Sequence, residues 1–196
     1  MLKTLDEAHD CARVVNEILP QLITSNQKDS GKLATLRAVK DVTNPRANQI
    51  WPLLLNKLSS LSNFDGEANY VARAIYETLH LFAIYQQGQV RLMYTNEPKN
   101  SLMRSLRILR LDPNLSNYVA GFDRQAQRTF EANNWVAIQN SLRRLISLMK
   151  THQGQAINFG KLAFDLYWLQ VNDQTRREVL FQWGNEYYQL NKERTI

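Results

Sequence analysis

The segment Ser101–Lys150 runs SLMRSLRILRLDPNLSNYVAGFDRQAQRTFEANNWVAIQNSLRRLISLMK. Its apolar residues recur at helical spacing in three successive blocks. Leu102, Leu106 and Leu109 share one face of a first helix that Ser101 caps and Asp112-Pro113-Asn114 ends. Ser116 opens a second helix to about Ala132. Asn133-Asn134 leads into a third, Trp135–Lys150, where Trp135, Ile138, Leu142, Leu145 and Met149 follow 3-4-3-4 spacing. No part of it alternates with period two, so the stretch reads as three consecutive helices. It also carries the charge. Eight of the 24 Lys and Arg but only three of the 18 Asp and Glu lie here, a difference of +5 in a net charge of +6. The flanks are nearly neutral, with 11 basic and 10 acidic groups before residue 101 and five of each after residue 150.

Outward from this stretch the same periodicity continues. Leu5, Ala8, Ala12, Val15 and Leu19 predict a first helix closed by Pro20 and the polar run that follows. A short helix is expected at Lys32–Lys40, with Arg37 and Lys40 outward. Asn44-Pro45 reads as a cap and a first-turn proline for a helix to about Leu61, which Pro52 should kink or start late. Asp65-Gly66-Glu67 opens a helix to about Tyr85, and Gln86–Asn100 is the main connection. On the C-terminal side, His152–Ala156 is a loop, Ile157–Val171 a helix, and Asn172-Asp173 caps the last. The expectation is an all-α protein of eight or nine helices in two packed lobes, residues 1–96 and 97–196, the second carrying the basic face.

At 196 residues the chain can bury a substantial core, and 44% hydrophobic with 21% charged residues is ordinary for a globular protein. Cys11 is the only cysteine, so no disulfide can form within the chain, and a lone thiol fits a reducing cytoplasm. No signal-peptide core or membrane-length apolar run is present. A pI near 9.5 points to an anionic partner, nucleic acid foremost.

On the three helices Arg104, Arg107 and Arg110 form a ridge at i, i+3, i+6, opposite the leucines. Arg124 and Arg128 sit one turn apart. Arg143 and Arg144 are expected to point to solvent, away from Leu142, Leu145 and Met149. Few acids stand at i−4 or i+4 to pair with these cations. Clustered Arg suits phosphate, because its planar fork matches the oxygens. Candidate nucleic-acid-binding residues are therefore Arg37, Lys40, Arg104, Arg107, Arg110, Arg124, Arg128, Arg143 and Arg144. Catalysis is not expected. Asp6-Glu7-Ala8-His9 spells a helicase box without any phosphate-binding loop. Glu77-Thr-Leu-His80 resembles half of a di-iron signature, whose second half would have to be Asp6-x-x-His9, with Asp in place of Glu, and two further Glu from other helices; no cofactor is expected. Both read as ordinary polar residues, Glu77 and His80 bordering the Leu79–Phe82 core.

The ordered set Ser101-Leu-Met-Arg104-Ser-Leu-Arg107, Leu142-Arg143-Arg144-Leu145-Ile146, Ile157-Asn158-Phe159-Gly160-Lys161-Leu162 and Asp165-Leu-Tyr-Trp168 resembles the small subunit of the type I-E CRISPR surveillance complex, Cascade, the CasB family. A last helix with Arg176-Arg177, Trp183 and Tyr187 belongs to the same pattern, and Lys32-Leu-Ala-Thr-Leu-Arg37-Ala is an N-terminal echo. Asn158-Phe159 stands where the family usually has Asp-Trp, and Ala38 replaces a second basic residue. The resemblance implies a non-enzymatic helical subunit, present in two copies, that contacts guide RNA, target DNA, the backbone subunits and the large subunit. It implies a role in holding the guide–target duplex and the displaced DNA strand without reading sequence. A stand-alone helical nucleic-acid-binding protein and a purely structural scaffold subunit are the alternatives; no convincing helix-turn-helix supports the first.

Overall fold

The computed structural model describes residues 2–23, 30–59, 61 and 69–189. Nine α-helices and two 3-10 helices account for the regular structure among them. The helices are α1 Leu2–Ile23, α2 Ser30–Ala38, α3 Trp51–Leu58, α4 Tyr70–Gln86, α5 Leu102–Arg110, α6 Val119–Phe130, α7 Trp135–Thr151, α8 Phe159–Val171 and α9 Asp173–Tyr188. Asparagine or serine begins most of the later ones. The side chains of Asn69, Ser101, Asn134, Asn158 and Asn172 each accept a backbone N–H from the first turn of their helix. Each such cap satisfies a donor the helix itself leaves unpaired.

The helix boundaries differ from expectation mainly at proline. Pro20 does not close α1, which runs one turn further to Ile23. The missing N–H costs one bond near the helix end, and buried Leu22 holds that turn against the core. Asn44 and Pro45 start a 3-10 turn, Pro45–Gln49, rather than a long helix, and α3 begins afresh with Pro52 in its first turn. A proline there gives up only an N–H that has no helical partner. Likewise the helix expected from Ser116 is a 3-10 turn, Pro113–Tyr118, followed by α6. The expected start of α4 at residues 65–67 lies outside the described residues.

Two helices organise the interior. In α4, 14 of 17 residues are buried, so it is covered on every side. α8 packs along α1, α4 and α9. Its approach to α1 is close because residue 160 is glycine; a Cβ there would lie 2.6 Å from Asn16 Oδ1. Phe159 at the head of α8 meets Phe82 of α4 edge-on, with ring centroids 5.4 Å apart. The long connection after α4 is tied down by a single parallel bridge. Thr95 N–H donates to Ile157 O at 3.0 Å and Ile157 N–H to Met93 O at 3.1 Å. No strand ladder occurs among the described residues.

Candidate nucleic-acid interface

α7 lies between α4 and α6, and its polar residues divide between the two flanks. Toward α6, the Ser141 carbonyl accepts from Gln125 Nε2 at 3.0 Å. Toward α4, Gln139 Nε2 donates to Glu77 Oε2 at 2.7 Å, and Arg143 Nη2 donates to the same oxygen at 2.7 Å. Arg143 Nε donates to His80 Nε2 at 3.0 Å, and Lys150 Nζ reaches Gln87 Oε1 at 3.4 Å. These pairings advance together along both helices, so α4 and α7 run parallel.

Arg143 is therefore not a solvent-facing residue. Its side chain is 13% exposed and its ion-pair partner Glu77 only 1%. A helical wheel places Arg143 at the margin of the apolar arc of α7, and the carboxylate of α4 draws it inward. His80 completes the arrangement. Its Nδ1 lies 2.5 Å from the Leu36 carbonyl, so that nitrogen carries the proton and Nε2 is left to accept from Arg143. Burial, with the adjacent Arg143 charge, pushes the His80 pKa down to about 4, although the bond to Leu36 opposes this. Burial pushes the Glu77 carboxyl up to about 7, against the opposing pull of Arg143 and Gln139. Glu77 Oε1 is buried without a partner among the described residues, which suits a carboxyl able to take a proton near neutral pH. The Glu-x-x-His spacing of α4 thus holds an arginine of α7. Among the described residues no group of three or more His, Cys, Asp or Glu is placed to bind a metal.

The α5 ridge is also drawn inward. Arg110 Nε donates to Asp123 Oδ1 at 2.7 Å, and its guanidinium lies 5.5 and 5.7 Å from the ring centroids of Tyr187 and Tyr188. Arg107 Nη1 reaches the Gln189 carbonyl at 3.5 Å. The Nε atoms of Arg104 and Arg107 are buried without a partner among the described residues. α5 packs on α9, and Ser101 Oγ donates to Glu186 at 2.6 Å. The ridge expected to stand clear of the leucines is instead half-buried beside the C-terminal end of α9.

What remains free is a smaller set. Arg124 and Arg128 on α6 and Arg144 on α7 are exposed and have no hydrogen bond or ion pair among the described residues. Lys40 is exposed in the same way, while Arg37 is half-buried. Arg144 lies one turn from Ser141, on the α6 flank. Lys40 joins a residue that the sequence reading missed, Arg73, in the first turn of α4. Together with Trp135, Val136, Asn140 and Arg143 they line an open groove of about 450 Å³ between residues 40–43, α4 and the start of α7. Arg73 lay outside the basic stretch, and its exposed position on a largely buried helix sets it apart.

The family model for CRISPR-associated protein Cse2 matches residues 32–188. The chain belongs to this family. It is a CasB-type small subunit of Cascade, and it works in that complex with other subunits. The match begins in α2 and ends at the last residue of α9, so it takes in the α4–α7 seam, the α5 ridge and the exposed arginines alike. The crystal structure of CasB from Thermobifida fusca superposes with a TM-score of 0.70 at 21% identity, covering 93% of this chain and 98% of that one. The fold is thus shared with CasB over most of the chain. No curated protein matches the chain. No helix among the described residues is long and apolar enough to cross a membrane.

Proposed function

We propose that this Cse2-family subunit is a non-catalytic, cytoplasmic component that binds nucleic-acid backbone without reading sequence. In the complex it would stabilise the guide–target duplex and the displaced DNA strand, next to the backbone subunits, the large subunit and a second copy of itself. The observation that carries this reading is the contrast within one basic stretch. Arg110 and Arg143 are neutralised by Asp123 and Glu77, whereas Arg124, Arg128 and Arg144 stand exposed and unpaired on adjacent helices. Rigid helices carrying uncommitted guanidiniums favour phosphate contact, which positions a strand but carries no base information. Opening a DNA duplex against a guide is nearly balanced, so a few such contacts tip it.

The test is the salt dependence of binding to single-stranded DNA. Each phosphate contact contributes roughly −0.7 to the slope of log affinity against log salt. Reversing Arg124, Arg128 and Arg144 to Glu should flatten the slope by about 2 and weaken every sequence by the same factor. An unchanged slope with affinity intact contradicts the reading. So does nuclease or ATPase activity that disappears on substituting a residue of this chain.

A further inference from the structure

The groove beside Lys40 and Arg73 differs in kind from the arginines of α6 and α7, because it has an aromatic wall. Trp135 packs partly against the core and is one of the residues lining the groove. Two other indoles are engaged, Trp51 with the Val42 carbonyl and Trp183 with Asp165. Trp135 is half-buried, and its N–H has no partner among the described residues. Val136, 63% exposed, extends the apolar rim, and Asn140 brings an exposed amide. The floor, in contrast, is engaged apart from Glu77 Oε1. The Tyr76 hydroxyl donates to Val39 O at 3.2 Å, and Glu77 is held by Arg143. Asp41 turns its carboxylate onto its own loop, accepting both the N–H and the hydroxyl of Thr43 at 2.9 Å. The groups left uncommitted among the described residues are two cations and the Trp135 indole.

We propose that this groove receives one unstacked nucleotide of a single strand, its base on the Trp135 ring and its flanking phosphates on Lys40 and Arg73. The proposal rests on the nucleic-acid-binding reading above and sharpens it. The α6 and α7 arginines hold backbone, and the groove adds a base-stacking position. About 450 Å³ lies within the range of small-molecule sites, roughly 300–1,000 Å³. Stacking on an aromatic ring accepts any base, so the position strengthens binding without selecting sequence.

The experiment compares a deoxythymidine oligonucleotide with an abasic tetrahydrofuran strand of the same length. The unaltered protein should bind the base-bearing strand tighter by about 5- to 100-fold, the range expected for one stacked base. Trp135→Ala should abolish that preference, and Trp135→Phe, which keeps a ring, should retain most of it. Lys40→Glu with Arg73→Glu should weaken both strands and leave their ratio unchanged. Asn140→Ile fills the groove from an exposed position without adding a ring and should also remove the preference, which keeps the test valid if Trp135→Ala fails to fold. A base preference that survives both Trp135→Ala and Asn140→Ile overturns the proposal. No preference in the unaltered protein also overturns it, as does an acidic peptide displacing neither strand yet binding through Lys40 and Arg73. These failures are distinct from failure of the broader reading, in which neither strand binds with a salt slope that depends on Arg124, Arg128 and Arg144.

Discussion

Arg143 and Arg144 are neighbours on one helix in different surroundings. About 100° of rotation separates them. One is enclosed with Glu77 and His80 on the α4 flank, and the other projects from the α6 flank with no partner among the described residues. Side-chain direction on a helix follows from sequence, but its environment depends on which helix lies alongside. On the α4 flank the neighbour offers a buried carboxylate. On the α6 flank it offers two more arginines, Arg124 and Arg128, on its outer surface. Both flanks join helices, but only the second leaves arginines exposed without a partner among the described residues.

Breaking the buried flank should have the largest effect. Above the raised Glu77 pKa, at about pH 8, Arg143→Ala strands an ionised Glu77 in the interior and should cost about 3–5 kcal/mol by urea denaturation. Pairing Glu77→Leu with Arg143→Met should recover most of that loss, since apolar groups of similar volume can replace a buried ion pair. A loss below ~0.5 kcal/mol for Arg143→Ala would make the pair no different from a surface one.

A smaller effect, and one of opposite sign for the two partners, is expected in pH dependence. The His80 pKa falls from 6.5 to about 4 on folding, so the unfolded chain binds more protons and stability is lost as pH drops through that interval. The Glu77 pKa rises from 4.5 to about 7, so its contribution is lost as pH rises through that interval. Over their overlap the two oppose each other. Glu77→Gln should therefore leave a stability that climbs with pH between about 4 and 6.5. His80→Gln should leave one that declines between about 4.5 and 7. Parallel slopes in the two variants would contradict the assigned protonation states.

The smallest change is expected on the exposed flank. Arg144→Glu should move stability by no more than ~0.5 kcal/mol while reducing the salt slope of single-strand binding by about 0.7. A larger stability loss would show that Arg144 has a structural partner.

The all-helical fold could be read from sequence because apolar periodicity is a property of each helix alone. Caps at Ser101 and Asn172 were equally local and fell where expected. The prolines were harder, because Pro20 in a packed last turn and Pro45 in a 3-10 turn depend on what tertiary contacts tolerate. The candidate site was legible only in part. Arg124, Arg128 and Arg144 lie opposite the apolar arc of their own helices, and one wheel suffices to expose them. Arg143 and Arg110 sit at arc margins, where the carboxylates of α4 and α6 settle their fate. Arg73 and Trp135 come together with Lys40 only because α4, α7 and the segment after α2 converge.

The packing of α8 on α1 has a consequence for synthesis. The Tyr167 hydroxyl donates to Glu7, 160 residues earlier, and Gly160 lets the two helices approach at Asn16. At about 5–20 residues per second, the ribosome adds the intervening chain in roughly 8–30 s. During that time α1 has an apolar face, from Ala8 to Leu22, and no α8 to cover it. Folding must wait for this long-range closure, which raises its entropic cost and slows it relative to bundles built from neighbouring helices. The nascent subunit therefore offers chaperones, or other unfinished chains, a sticky helix until α8 emerges.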